Sequence, residues 1–167
     1  MPAIKTIIDK LRIEYEGLFS MPDLYATIDN WLKEKGYDKQ EKKNVERVKA
    51  AGKDVELLLQ PWKKITDYAK IVINIRVIAS NIKEVEVEQD GAKIKLNQGK
   101  VHIVLDGWLQ TDYEGRWEGK PLFFFLRELY DRYLYKPYTS SYESAVAKDT
   151  TDLHGELRSF LNLYRYK

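Results

Sequence analysis

Residues 106–121, DGWLQTDYEGRWEGKP, hold two tryptophans, four carboxylates, one arginine and three glycines. On a strand, Asp112 and Glu114 share one face with Trp108 and Gln110, because side chains alternate. Paired carboxylates beside tryptophan suit glycoside hydrolysis, in which two acids straddle the scissile bond. Two neighbours on one strand face, however, lie on the same side of any substrate, and acids at a strand end are ordinarily solvated. Arg116, between Glu114 and Glu118, suits local ion pairs that are worth little when exposed. The stretch therefore reads as a strand alternating to Tyr113, a bend at Glu114-Gly115, and a helix opened by Gly119.

Other reactive constellations are sparse. His102 and His154 are the only histidines, and they lack the i, i+4 spacing of a helical metal-ligand pair. His154 suits a hydrogen bond at a helix interface. The chain has no cysteine, which excludes disulfides, thiolate-bound metals and thiol nucleophiles. Ser140, Ser141 and Ser144 have no G-x-S-x-G frame and read as helix-capping residues. Neither G-x-x-x-x-G-K-[ST] nor G-x-G-x-x-G occurs, so the familiar nucleotide cradles are missing. No catalytic residue, metal or cofactor is expected, and the reading leans away from an enzyme.

Composition sets the class. With 167 residues, 44% hydrophobic and 32% charged, the chain fits one globular domain with its own core. The net charge of +2 hides an even mixture: residues 1–60 carry eleven basic and eleven acidic side chains. No segment is basic, which argues against a nucleic-acid or anionic-membrane surface. Charges through MPAIKTIIDKLRIEYEG do not fit a secretory signal, and no run approaches the ~20 apolar residues of a membrane helix. A cytoplasmic location is expected. Abundant Lys, Glu and Tyr without cysteine resembles the composition of proteins from hot environments.

Helical spacing opens the chain. Ile4, Ile7, Ile8, Leu11, Tyr15, Leu18 and Phe19 recur at steps of three and four, which predicts a helix ending near Gly17–Phe19. SMPD (20–23) predicts a second start, with Ser20 as N-cap and Pro22 in the first turn. Leu24, Ile28, Trp31 and Leu32 form its apolar stripe, and Gly36 ends it. Residues 1–36 are thus expected as a helical hairpin. Residues 38–52 read either as a helix capped by DKQE or as a strand from about Asn44 to Ala50. The strand is preferred, because DVELLLQPW needs a partner and AAGK supplies the turn.

From Val55 the period is two. Asp90-Gly91 and Asn97-Gln98-Gly99 read as turns, so 44–114 is expected as an antiparallel meander of five to six strands. LFFFLRELYDRYLY (122–135) predicts a buried helix ended by Pro137. TSSYES (139–144) caps a last helix carrying Val146, Leu153, Leu157, Leu161 and Tyr164, kept whole across KDTTD (148–152). The expected fold is a single α+β domain, 1–167: the N-terminal hairpin, the meander, and two C-terminal helices over 120–165.

The two sheet faces differ. If Leu57, Leu59, Ile71, Ile73, Ile75, Ile103 and Leu105 line the core, the other face carries Leu58, Gln60, Trp62, Val72, Asn74, Arg76, Ile78, His102, Val104, Asp106 and Trp108. That set is neither core nor ordinary surface. Either the N-terminal hairpin covers it, as in layered folds, or it is a platform mixing Trp, Arg and His as interfaces do. Trp62, Arg76, His102, Asp106, Trp108, Asp112 and Arg116 are the candidate binding residues, with the two tryptophans as anchors.

The leading expectation is a non-enzymatic protein-interaction or assembly module that binds a protein or a second copy through this amphiphilic face. No motif carries family residues over. An antiparallel sheet with a long C-terminal helix resembles, in topology alone, the helix-grip folds of START-type proteins. That resemblance implies the alternative: a carrier of an apolar small molecule or lipid, with its pocket between the sheet and the C-terminal LFFFL helix, open to hydrolase activity. A carrier needs an internal cavity of ~300–1,000 Å³, whereas an interaction module does not.

Overall fold

A computed structural model describes residues 3–111 and 136–165. Six antiparallel strands make one sheet: β1 (Ala3–Phe19), β2 (Glu41–Lys49), β3 (Gly52–Leu59), β4 (Trp62–Lys64), β5 (Ala69–Gln89) and β6 (Ala92–Thr111). Their order is β1-β6-β5-β3-β2, and the short β4 pairs with β5. Helix α1 (Met21–Lys35) connects β1 to β2, and α2 (Lys136–Arg165) is the last described element. The α+β class is as expected.

The first segment is a strand, so the expected helical hairpin does not form. Its second half alternates: Ile13 and Phe19 are buried, Leu11 and Tyr15 pack beside them, and Arg12, Glu14 and Glu16 are exposed. Earlier along β1, register shifts fall between Thr6 and Ile8 and between Ile8 and Leu11. Each extra residue moves the apolar phase by one position, so a period-two strand imitates steps of three and four. Lys10 takes φ 53° in this irregular stretch.

Helix α1 follows its sequence signals. Ser20 Oγ accepts from the Asp23 N–H at 3.2 Å, and Gly36 ends the helix with φ 79°. Leu24, Ile28, Trp31 and Leu32 are at most 3% exposed. Residues 41–49 form the preferred strand, and Asp90 (φ 53°) and Gly91 (φ 79°) turn the β5–β6 hairpin.

The expected turn at Asn97-Gln98-Gly99 is absent, because β6 runs straight through it. Asn97 pairs with Phe19, and its Oδ1 accepts the Met21 N–H at 2.8 Å, taking up a donor that opens α1. Gly99 is demanded by crowding: a Cβ there would lie 2.9 Å from the Ser80 carbonyl oxygen. Turn-type residues serve here as a helix cap and a close approach.

α2 is one unbroken helix. Pro137, expected to end the preceding helix, stands in the first turn of α2, where a missing N–H removes no helical bond. TSSYES therefore lies inside α2 and does not cap it. The polar KDTTD persists because α1 and the residue just past its cap use it: Trp31 Nε1 donates to Asp152 at 2.8 Å, and Tyr37 Oη donates to Asp149 at 2.7 Å. Buried Thr150 donates to the Val146 carbonyl at 2.8 Å. The other expected C-terminal helix, 122–135, lies outside the described residues. No described helix is long and apolar enough to cross a membrane.

One cluster forms the core. It joins Leu24, Ile28 and Leu32 of α1 and Val146, Leu153, Leu157 and Leu161 of α2 to the inward residues of β3, β5 and β6. α2 presses on β6 so closely that a Cβ on Gly107 would sit 2.4 Å from Thr150 Oγ1. Both described helices therefore cover the same sheet face. The idea that the N-terminal helices cover the opposite face is overturned, because α1 spends its stripe on the core.

Candidate functional site

The opposite face is ordered by strand register into rows. Trp108 stands between Thr6 and Val72, and Val72 stands between Trp108 and Trp62. In the next row Asp106 faces Asn74. Then Val104 lies between Arg12 and Arg76, and His102 lies between Glu14 and Ile78. Rows on one face repeat about every 7 Å, since alternate residues are two strand steps apart.

A polar chain fixes the middle of this surface. Gln60 Nε2 donates to Asn74 Oδ1 at 3.0 Å, and Asn74 Nδ2 donates to Asp106 Oδ2 at 3.1 Å. The Lys10 N–H donates to Asp106 Oδ1 at 2.9 Å. Asn74 is 8% exposed, and the chain satisfies it, as a buried amide requires. Both carboxylate oxygens of Asp106 thus hold the β1 irregularity against β5. That arrangement positions groups and leaves Asp106 poorly placed to accept a substrate proton.

Between these rows lies a concavity of about 280 Å³, lined by Lys10, Arg12, Asn74, Arg76, His102, Val104 and Asp106. It brings together three of the residues expected from sequence: Arg76, His102 and Asp106. At its rim His102 Nδ1 lies 3.3 Å from Glu14 Oε1. Trp62 and Trp108, both half-buried, flank Val72 one row beyond Asp106. The Lys70 ammonium sits 5.0 Å from the Trp62 ring centroid, a cation–π contact. Burial, followed by the charge of Lys42, lowers the Lys70 pKa. Asp112 and Arg116 lie outside the described residues.

Lys10 and Arg12 were missed as site residues. Reading residues 4–19 as a helix hid them, although the alternation in LRIEYEG could have found them. The histidines do not converge: His102 is on this face, while His154 Nε2 lies 3.2 Å from the Arg12 carbonyl oxygen on the α2 side. Among the described residues no group of three His, Asp or Glu side chains could hold a metal ion. Ser140, Ser141 and Ser144 are exposed in α2.

A second depression of about 350 Å³ lies on the helix side, lined in part by Ser20, Tyr25, Glu46, Lys53, Glu84 and Lys95. Its charges cancel locally, with Lys53 3.4 Å from Glu46 and Lys95 3.5 Å from Glu84. Burial, then Glu46 and Glu41, raises the Tyr25 pKa and keeps its hydroxyl protonated. That depression has less to offer a charged ligand. No protein-family model matches the chain, and no curated protein matches its sequence.

Proposed function

We propose that the chain is a non-enzymatic, cytoplasmic interaction module that binds a protein partner, or a second copy of itself, through the sheet face opposite its helices. One observation carries this reading: both described helices pack on one face, while the other holds half-buried Trp62 and Trp108 in register around Val72. Tryptophan brings a large apolar area with an N–H that needs a partner, which makes it a frequent interface anchor. The neighbouring concavity adds charged groups for specificity. The alternative of a carrier sets its pocket against the LFFFL segment, which lies outside the described residues; at Gly107 the sheet and α2 leave no room for an added methyl group.

The test is Trp108→Ala. The variant should fold and melt close to the parent, yet lose at least roughly tenfold in affinity for the partner or for its own second copy, as removal of an anchor does. Thermal melts, sedimentation and cross-linked pull-downs on the same sample read both quantities. A grossly destabilised variant, or one that melts and associates like the parent, would overturn the proposal.

A further inference from the structure

Eight described lysines have a carboxylate within 4 Å. Lys39 is 2.9 Å from Asp29 and Lys43 is 3.1 Å from Glu56, and Lys53 and Lys95 have the partners given above. Lys10, Arg12 and Arg76 differ. Among the described residues no carboxylate lies within ion-pairing distance of any of the three side chains, yet all line one concavity. The acid in that lining, Asp106, is committed to the Lys10 N–H and the Asn74 amide.

Register makes this grouping specific. Arg12 and Arg76 flank Val104, one strand away on either side, so their Cα atoms stand about 10 Å apart. Two guanidiniums at that separation can fold inward over the valine and each present a planar pair of donors to one small oxyanion. Lys10 closes the end of the site, where the β1 irregularity sets its side chain beyond the regular alternation. Three cations against the Asp106 carboxylate leave an excess of two positive charges. Glu14, with a side chain 72% exposed, sits one row out against His102 and is screened by water.

We propose that Arg12, Arg76 and Lys10 form a clamp for a phosphate monoester carried by the protein partner, with Val104 as the floor. A phosphate monoester holds about −1.5 to −2 charges at neutral pH and offers three acceptor oxygens, which matches the excess charge and the two arginine forks. A single carboxylate would leave one cation unanswered. This inference rests on the binding face proposed above and names the chemistry that the face selects.

The probes are inorganic phosphate, O-phosphoserine and glutamate, titrated into the isotope-labelled chain at constant ionic strength set with sodium chloride. Both phosphates should give saturable amide shifts centred on Val104 and its β1 and β5 neighbours, with glutamate weaker by about tenfold or more. Arg12→Gln and Arg76→Gln should each weaken phosphate binding roughly tenfold, and the double variant should abolish it, at an unchanged melting temperature. Because both arginines are exposed, the variants keep the core intact. Absent saturation, equal binding of glutamate, or full phosphate binding by the double variant would overturn the clamp. Trp108→Ala should retain phosphate binding, so failure of the clamp and failure of the wider interaction face give different results.

Discussion

The two faces of β6 share one backbone and meet opposite fates. Val101, Ile103, Leu105 and Leu109 are at most 1% exposed, while the interleaved His102, Val104, Asp106 and Trp108 are half-buried. On the core face the described chain supplies the packing, from α1, α2 and the inward residues of β1, β3 and β5. On the other face it supplies lateral contacts within the sheet and leaves three cations unpaired. Packing accounts for the first set of residue types. Packing within the described residues does not account for tryptophan, arginine and histidine in the second, which the proposed binding would explain.

The sharpest break of this contrast is in α2. Leu157 is 0% exposed in the shared cluster, so Leu157→Ala should cost ~2–5 kcal/mol by denaturant titration. A change near zero would mean that α2 does not hold the core face shut. Overpacking tests the same seam from the sheet side. Gly107→Ala places a methyl group where Thr150 and Val146 already stand, and should cost ~1–3 kcal/mol as α2 or the strand shifts. A neutral result would show that the seam has slack.

Legibility followed the strength of local signals. Ser20, Gly36 and Asp90-Gly91 declare themselves because caps and two-residue turns demand particular atoms and φ values. The alternation of β5 and the second half of β6 was legible for the same reason that the two faces differ. β1 was misread because its irregularities shift the apolar phase, and with it went Lys10 and Arg12. Asn97-Gln98-Gly99 was misread because its atoms serve α1 and β5, which are distant in sequence. Aspartates in KDTTD gave no sign of Trp31 and Tyr37, since a hydrogen bond across more than a hundred residues leaves no local pattern.

That α1–α2 clasp gives a pH test. Burial, then the hydrogen bond to Asp149 and its charge, pushes the Tyr37 hydroxyl far above the ordinary tyrosine range. A raised folded-state pKa means that the native state keeps a proton which the unfolded chain releases near pH 10. The stabilisation is therefore complete below about pH 10 and falls as pH rises beyond it. Tyr37→Phe should cost about 1 kcal/mol at neutral pH through the lost hydrogen bond, and should flatten the alkaline loss of stability. Tyr25 and Tyr164 are shifted in the same direction, so a weaker alkaline slope remains. Melting temperatures between pH 8 and pH 11 decide it, and parallel curves for parent and variant would remove Tyr37 from the clasp.

The smallest expected effect compares neighbours on one strand. Val77 is 0% exposed on the core face, and Ile78, next to it, is 36% exposed on the other face beside His102. Val77→Ala removes two buried methyl groups and should cost roughly 2 kcal/mol from lost burial and the space left behind. Ile78→Ala removes more carbon, yet much of it already touches water, so the loss should stay within about 0.5 kcal/mol, as for ordinary surface changes. The larger truncation should thus have the smaller effect. If Ile78→Ala instead costs as much as Val77→Ala, something in the isolated chain already covers the second face. A partner site there would then require that cover to move, and chemical denaturation of the two variants side by side is enough to tell.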